Sequence, residues 1–299
     1  MTIRLGTRGS ALALAQARWV AERLEAGVEL VPIRTSGDER RDSPTEIADK
    51  TRFVKEIEEA LLAGEIDLAV HSAKDVPGEL PQGLAIVGVP EREDARDALC
   101  GAASLDELGE GALVGTASLR RRAALLALRP DLRIGELRGN VDTRLRRLDE
   151  GACDAIVLAC AGLARLGRAD RGVPLAELVP AAGQGCLALE ARAGDESTAA
   201  VASAVTDLNA LACLTAERAL VGELDATCHT PVGAHAERAG GALRLTAFVG
   251  LPDGSHWITD SLEGPAADPV ELGTAVAARL RAAGADELLA AAELAAGPR

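Results

Sequence analysis

The chain has 299 residues, enough for two or three domains. A net charge of −14 with two Trp, two Phe and no Tyr argues against a nucleic-acid partner, since the charge repels phosphate and no aromatic platform exists for bases. The six Cys (100, 153, 160, 186, 213, 228) form no CxxC pair, so neither disulfides nor a metal site is expected, and no apolar run reaches the length of a membrane span.

In chain order, Thr2-Ile3-Arg4-Leu5 reads as a strand, with no signal-peptide core before it, which points to a cytoplasmic protein. Gly6-Thr7-Arg8-Gly9-Ser10 leads into an apolar-periodic helix over about 11–26, stopped by Gly27, and 28–34 resumes as a strand. The polar stretch 35–51 has no apolar period and reads as a mobile lid. A helix over 53–63 and a strand over 66–71 follow, then His71-Ser72-Ala73-Lys74-Asp75-Val76-Pro77. Pro77 breaks the chain there, so four polar or ionisable side chains are delivered to one strand end, the place where ligands sit in open α/β sheets. Lys74 offers an anion anchor and Asp75 a carboxylate able to stabilise a developing cation.

After a strand over 84–89, a second α/β run begins. Leu113–Thr116 is a strand, 118–128 a helix carrying Arg120, Arg121 and Arg122, 133–137 a strand, 141–150 a helix, 155–159 a strand and 161–166 a helix. The flexible crossing 180–185 precedes a strand over 186–191 and helical segments to about Leu224. The tail reads differently. Strands over 232–238, 242–249 and 256–262 are joined by Gly240-Gly241 and Pro252-Asp253-Gly254 turns, and two Ala/Leu-rich helices finish the chain.

Two echoes link the halves. Gly6-Thr7-Arg8-Gly9-Ser10 matches Gly115-Thr116-Ala117-Ser118, and Asp67-Leu68-Ala69-Val70 matches Asp154-Ala155-Ile156-Val157, in the same order. Paired α/β lobes facing one cleft are expected, with the His71–Asp75 cluster confined to the first. Gly-Thr turns ending in Ser and entering helices, with Arg8 on one and Arg120-Arg121 on the other, suit a ligand with several carboxylates or phosphates. Arg138, Arg144 and Arg165 stand at further strand ends, whereas Arg122, Arg146 and Arg147 read as solvated. Cys228 lies beside His229 in a loop; on spacing alone it is a nucleophile, a metal ligand or incidental.

Taken together, His71–Pro77, Gly115–Arg121, Leu137–Leu145, Gly183-Gln184-Gly185 and Cys228 with Pro231 and Gly233 resemble the porphobilinogen deaminase (hydroxymethylbilane synthase) family, in that family's order. The resemblance implies an α/β fold of two periplasmic-binding-protein-like lobes plus a small C-terminal α+β domain with a three-stranded antiparallel sheet. The implied boundaries are 1–91 with 186–206 for lobe 1, 92–185 for lobe 2 and 207–299 for the last domain.

It implies a monomeric transferase that adds four porphobilinogen molecules stepwise, with loss of ammonia, to a dipyrromethane cofactor held by Cys228 through a thioether. Linear hydroxymethylbilane is then released hydrolytically. Asp75 is the implied catalytic carboxylate. Lys74, Ser72, Thr116, Ser118, Arg120, Arg121, Arg138, Arg144 and Gly185 are implied to bind the cofactor, and Arg8, Ser10, Lys55 and Arg165 the substrate; no metal, nucleic acid or membrane is implied. The chain departs from the family pattern at 47–52 and at Ala226-Thr227. The rival reading is a two-lobed binding protein for a polycarboxylate, without chemistry; it accounts for the arginines but not for Asp75 or Cys228.

Overall fold

The computed structural model describes residues 2–36, 54–227 and 230–296. Most of the expected lid, as well as Cys228 and His229, lies outside those residues. The chain divides into two compact units, 1–93 with 185–211 and 94–184 with 212–299.

The first stretch runs β1 (Thr2–Arg8), α1 (Ala11–Ala21), β2 (Gly27–Ile33), α2 (Lys55–Leu62), β3 (Leu68–Ser72) and β4 (Leu84–Gly88). Next come β5 (Asp97–Cys100), β6 (Leu113–Gly115), α3 (Leu119–Leu128), β7 (Arg133–Gly135), α4 (Val141–Asp149), β8 (Ala155–Ala159), α5 (Cys160–Arg165) and β9 (Val173–Leu175). The chain continues through β10 (Leu187–Arg192), α6 (Glu196–Ser203) and α7 (Leu208–Glu223). It ends with β11 (Val232–Ala239), β12 (Ala242–Gly250), β13 (Trp257–Pro265), α8 (Pro269–Ala282) and α9 (Ala285–Ala296).

The first unit holds a five-stranded sheet in the order β2-β1-β3-β10-β4, and the second holds one in the order β7-β6-β8-β5-β9. The two orders superpose term for term. In each, one strand lies antiparallel to both of its neighbours: β10 between β3 and β4, and β5 between β8 and β9. The sequence echoes therefore mark equivalent positions in two lobes of one design. Gly6 on β1 and Gly115 on β6 show why small residues recur. A Cβ on Gly6 would stand 2.3 Å from Ile66 Cδ1, and one on Gly115 2.9 Å from Leu137 Cδ2.

Strands β5 and β9 escape the sequence reading. The four-residue β5 opens on a charged Asp97, and β9 contains Pro174, which is tolerated because β9 is an edge strand. The helix read over 11–26 stops at Ala21, short of Gly27.

The third sheet, β11-β12-β13, is antiparallel throughout and carries its own core with α7, α8 and α9, including Ala216, Leu220, Leu245, Val276 and Leu280. Phe248 on β12 packs instead into the core of the preceding sheet, beside Leu99 and Leu125, which ties the two layers of the second unit together.

Candidate functional site

In the first unit, β1 and β3 run parallel and deliver their C-terminal ends side by side. Ser10 caps α1, its hydroxyl accepting from the Ala13 N–H at 3.3 Å. Beyond β3, Ala73–Asp75 forms a single 3₁₀ turn, pinned by the Ala73 N–H donating to the Cys186 carbonyl at 3.0 Å. A small pocket of about 60 Å³ opens here, lined by Arg8, Ser10, Gln16, Val54, His71, Ser72 and Asp75 among others. Lys74 and Asp75 are half-buried. Lys55, at the start of α2, is exposed and sits 3.8 Å from Glu59.

Both faces of the β3 end carry polar contacts. On the α1 side, Gln16 Nε2 donates to Ser72 Oγ at 2.9 Å. Behind it, His71 Nε2 lies 3.0 Å from Glu190 Oε2 with both side chains buried. Gln16 escapes the motif reading, although it falls on the buried stripe Ala13, Gln16, Ala17, Val20 of α1, where an amide is conspicuous.

The second unit repeats the geometry. Ser118 caps α3, its Oγ accepting from the Arg121 N–H at 3.4 Å, and Thr116 Oγ1 accepts from the Ser118 N–H at 3.2 Å. Asn140 caps α4 through the Thr143 N–H at 2.8 Å. Arg138 is exposed and its Nε donates to Glu136 at 2.6 Å; Arg144 Nε donates to the Gly139 carbonyl at 2.8 Å; Arg165 closes α5.

Arg120 and Arg121 are placed differently from a solvent-facing anion anchor. They are 4% and 6% exposed, and both bind Asp97, which is fully buried. Arg121 donates to Asp97 Oδ1 from Nε at 2.9 Å and Nη2 at 2.7 Å, and from Nη1 to the Val157 carbonyl at 2.8 Å. Arg120 donates from Nη1 to Asp97 Oδ2 and to the Val179 carbonyl, both at 2.7 Å.

Burial alone would raise the Asp97 pKa, but the two guanidiniums hold it well below the ordinary carboxylate range. Gln184 completes the group, donating to Asp97 Oδ1 at 2.9 Å and to the Ala95 carbonyl at 2.7 Å. All three guanidinium nitrogens of Arg121 therefore have protein acceptors. Arg120 Nε is buried and has no hydrogen-bond partner among the described residues, a donor that a ligand carboxylate would satisfy.

Gly183 and Gly185 flank Gln184 with φ of +71° and +89°, left-handed values that only glycine adopts freely. The Gly183 N–H donates to the fully buried Glu217 at 2.6 Å.

With this geometry, comparison with known proteins is decisive. Residues 3–200 match the model of the porphobilinogen deaminase dipyromethane cofactor binding domain, and 211–282 match that of the porphobilinogen deaminase C-terminal domain. The chain belongs to the porphobilinogen deaminase family. It is 48% identical over 304 residues to the porphobilinogen deaminase of Deinococcus radiodurans, covering 97% of this chain and 98% of that one. Against the porphobilinogen deaminase of Trichlorobacter lovleyi the identity is 46% over 297 residues, covering 96% and 95%.

Among solved structures, a periplasmic substrate-binding protein from Coxiella burnetii aligns at a TM-score of 0.41 and 16% identity, over 68% of this chain and 91% of that one. A periplasmic binding protein from Brucella ovis aligns at 0.40 and 18%, over 67% and 65%.

Proposed function

We propose that the protein is a hydroxymethylbilane synthase, joining four porphobilinogen molecules head to tail with loss of ammonia and releasing linear hydroxymethylbilane. The observation that carries this is the end of β3, where Ser72, Lys74 and Asp75 leave a sheet in a family of known chemistry.

Each joining step passes positive charge through the pyrrole system as ammonia departs. A carboxylate already fixed beside that charge needs no reorganisation to stabilise it, and it acts more strongly at a site shielded from water. Asp75 is assigned this role. Its position is set by the 3₁₀ turn and by the Ala73–Cys186 hydrogen bond rather than by a flexible loop.

Dipyrromethane, attached at Cys228, supplies the primer from which the product grows. Thr116, Ser118, Arg120, Arg138, Arg144, Lys74, Ser72 and the Gly185 backbone are assigned to its acidic side chains, and Arg8, Ser10, Lys55 and Arg165 to those of the substrate. The unsatisfied Nε of Arg120 supports this fit. Arg121 is assigned to the same site indirectly, through its hold on Asp97. We assign three domains, 1–91 with 186–206, 92–185 and 207–299, a division supported by the separate core around β11–β13 and by the second family model beginning at residue 211.

A cytoplasmic monomer that binds neither nucleic acid nor membrane is part of this reading. The net charge of −14 supports the nucleic-acid part of it, and no single helix among the described residues is long and apolar enough to cross a membrane. The deciding experiment is intact mass spectrometry. The purified protein should exceed its sequence mass by one dipyrromethane, and Cys228→Ser should lose that increment. A bare polypeptide mass in an active preparation would refute the cofactor assignment.

A further inference from the structure

Three ionisable side chains meet inside the first unit, on the face of its sheet covered by α2. Glu58 from α2 is 7% exposed, His71 from β3 4% and Glu190 from β10 1%. The strand register places His71 opposite Ala188 and Glu190 opposite Ala69, so His71 and Glu190 are diagonal neighbours on one face. Their 3.0 Å approach is not an aligned hydrogen bond. His71 Nε2, both Glu190 oxygens and Glu58 Oε1 have no hydrogen-bond partner among the described residues. Polar atoms buried in that state are costly, and the same face of the sheet carries an apolar cluster of Ile57, Leu61, Ile66 and Ala69. Their presence calls for a use.

The place of His71 suggests one. It lines the pocket that contains Asp75, and it precedes Ser72 and the 3₁₀ turn. The same strand end is tied to the chain just before β10 by the Ala73–Cys186 hydrogen bond, two residues beyond His71.

We propose that Glu58, His71 and Glu190 form a buried clamp on the end of β3, which tightens when Glu58 loses its proton and so positions Asp75 for turnover. Ionised Glu58 gives His71 a second carboxylate to face, so that the strand end is held from α2 as well as from β10. Burial, and then the Glu190 carboxylate, push the Glu58 pKa up to about 7, with His71 opposing. Arg8 and Asp75 share the pocket that His71 lines, and other charges on the packed elements have partners of their own. Lys55 and Glu59 on α2 face solvent as a pair, Arg192 on β10 binds the Leu61 and Ile66 carbonyls and Asp195, and Arg4 binds Asp67.

Glu58 and His71 are thus positioning residues, acting through Asp75; this link rests on the catalytic assignment of Asp75. The test measures kcat and KM of the cofactor-loaded enzyme across pH. For a group titrating near 7, kcat should rise about tenfold from pH 6 to pH 8. Glu58→Gln should hold the acid value throughout, with that ratio below about twofold and KM nearly unchanged. Glu58→Asp should restore a rise at a shifted pH, and His71→Gln should flatten the profile as Glu58→Gln does. A purely structural Glu58 would alter stability and leave the pH step in place.

Persistence of the full step in folded Glu58→Gln overturns the proposal. If Glu58→Gln does not fold, the parent and Glu58→Asp decide, because identical pH midpoints for the two overturn it as well. Failure of the underlying assignment looks different: Asp75→Ala would then retain turnover, whatever Glu58 does.

Discussion

The Gly183 N–H donates to Oε2 of Glu217 at 2.6 Å, while the other oxygen of that carboxylate takes the Ala236 N–H at 2.7 Å. A single fully buried side chain thereby fastens the crossing segment 180–184 to strand β11. Hydrogen bonds to a buried carboxyl group are costly to lose, so Glu217→Ala, which removes the Gly183 and Ala236 N–H bonds together, should cost about 3 kcal/mol. Denaturant unfolding reads the loss, and amide exchange at Gly183 and Ala236 should accelerate ahead of the rest of β11. Unchanged protection at both amides would show that the carboxylate is dispensable.

A second expectation concerns Arg121. All three of its guanidinium nitrogens are engaged with Asp97 and Val157, so truncating it strands a buried carboxylate on a single remaining arginine. Arg121→Ala should lose roughly 3–5 kcal/mol, the range for breaking a buried pair from one side. Folded Arg121→Lys should keep most of its turnover per molecule, since the side chain acts through Asp97. Loss of turnover at undiminished stability would instead place Arg121 on the ligand.

The same cluster sets an acid limit. The Asp97 pKa is depressed in the folded protein, so its contribution is present above the ordinary carboxylate value near pH 4 and fades as pH falls below it. Asp97→Asn should be less stable than the parent at neutral pH, and the gap should narrow toward pH 2. Thermal unfolding across that window checks the sign.

Gly233 gives a steric prediction. A Cβ there would stand 2.8 Å from the Val179 carbonyl oxygen and 3.2 Å from that of Pro180, both backbone atoms that cannot swing aside. The neighbouring Ala234 N–H donates to the Pro180 carbonyl at 2.9 Å. Gly233→Ala should therefore destabilise by about 1–3 kcal/mol. At Gly6 the nearest obstacle is the tip of the Ile66 side chain, so Gly6→Ala should cost less.

Asp75→Ala should nearly abolish turnover while leaving the mass increment of the bound dipyrromethane detectable. Near-normal turnover would remove Asp75 from the mechanism.

What the sequence discloses follows the range of the forces involved. Strand ends, helix caps and the lobe echo are local patterns, and Ser10, Ser118 and Asn140 all cap helices where Gly-Thr-x-x-Ser, Gly-Thr-x-Ser and Arg-Gly-Asn turns place them. The partners of Arg120 and Arg121 are not local. Asp97 lies more than twenty residues upstream, on a strand too short to announce itself, and only the folded sheet reveals that these arginines meet a protein carboxylate. Gln16 and Glu58 were legible in a weaker sense, since each is a polar residue at a position that the helical apolar period assigns to the interior, whereas Glu190 falls on the alternate face of β10 from Leu187, Leu189 and Ala191 and gave no such signal. The fold then shows that Glu58 and Glu190 converge on His71.

The paired antiparallel strands carry a consequence for biosynthesis. Among the described residues strand β4 pairs with β10 alone, so the first sheet cannot close on a ribosome until residues 187–192 have emerged. The second sheet draws all five strands from 97–175 and has no such wait. Vectorial synthesis therefore reverses the expected sequence of events. The lobe made later can complete its sheet first, while β4 waits for its pairing partner to be translated.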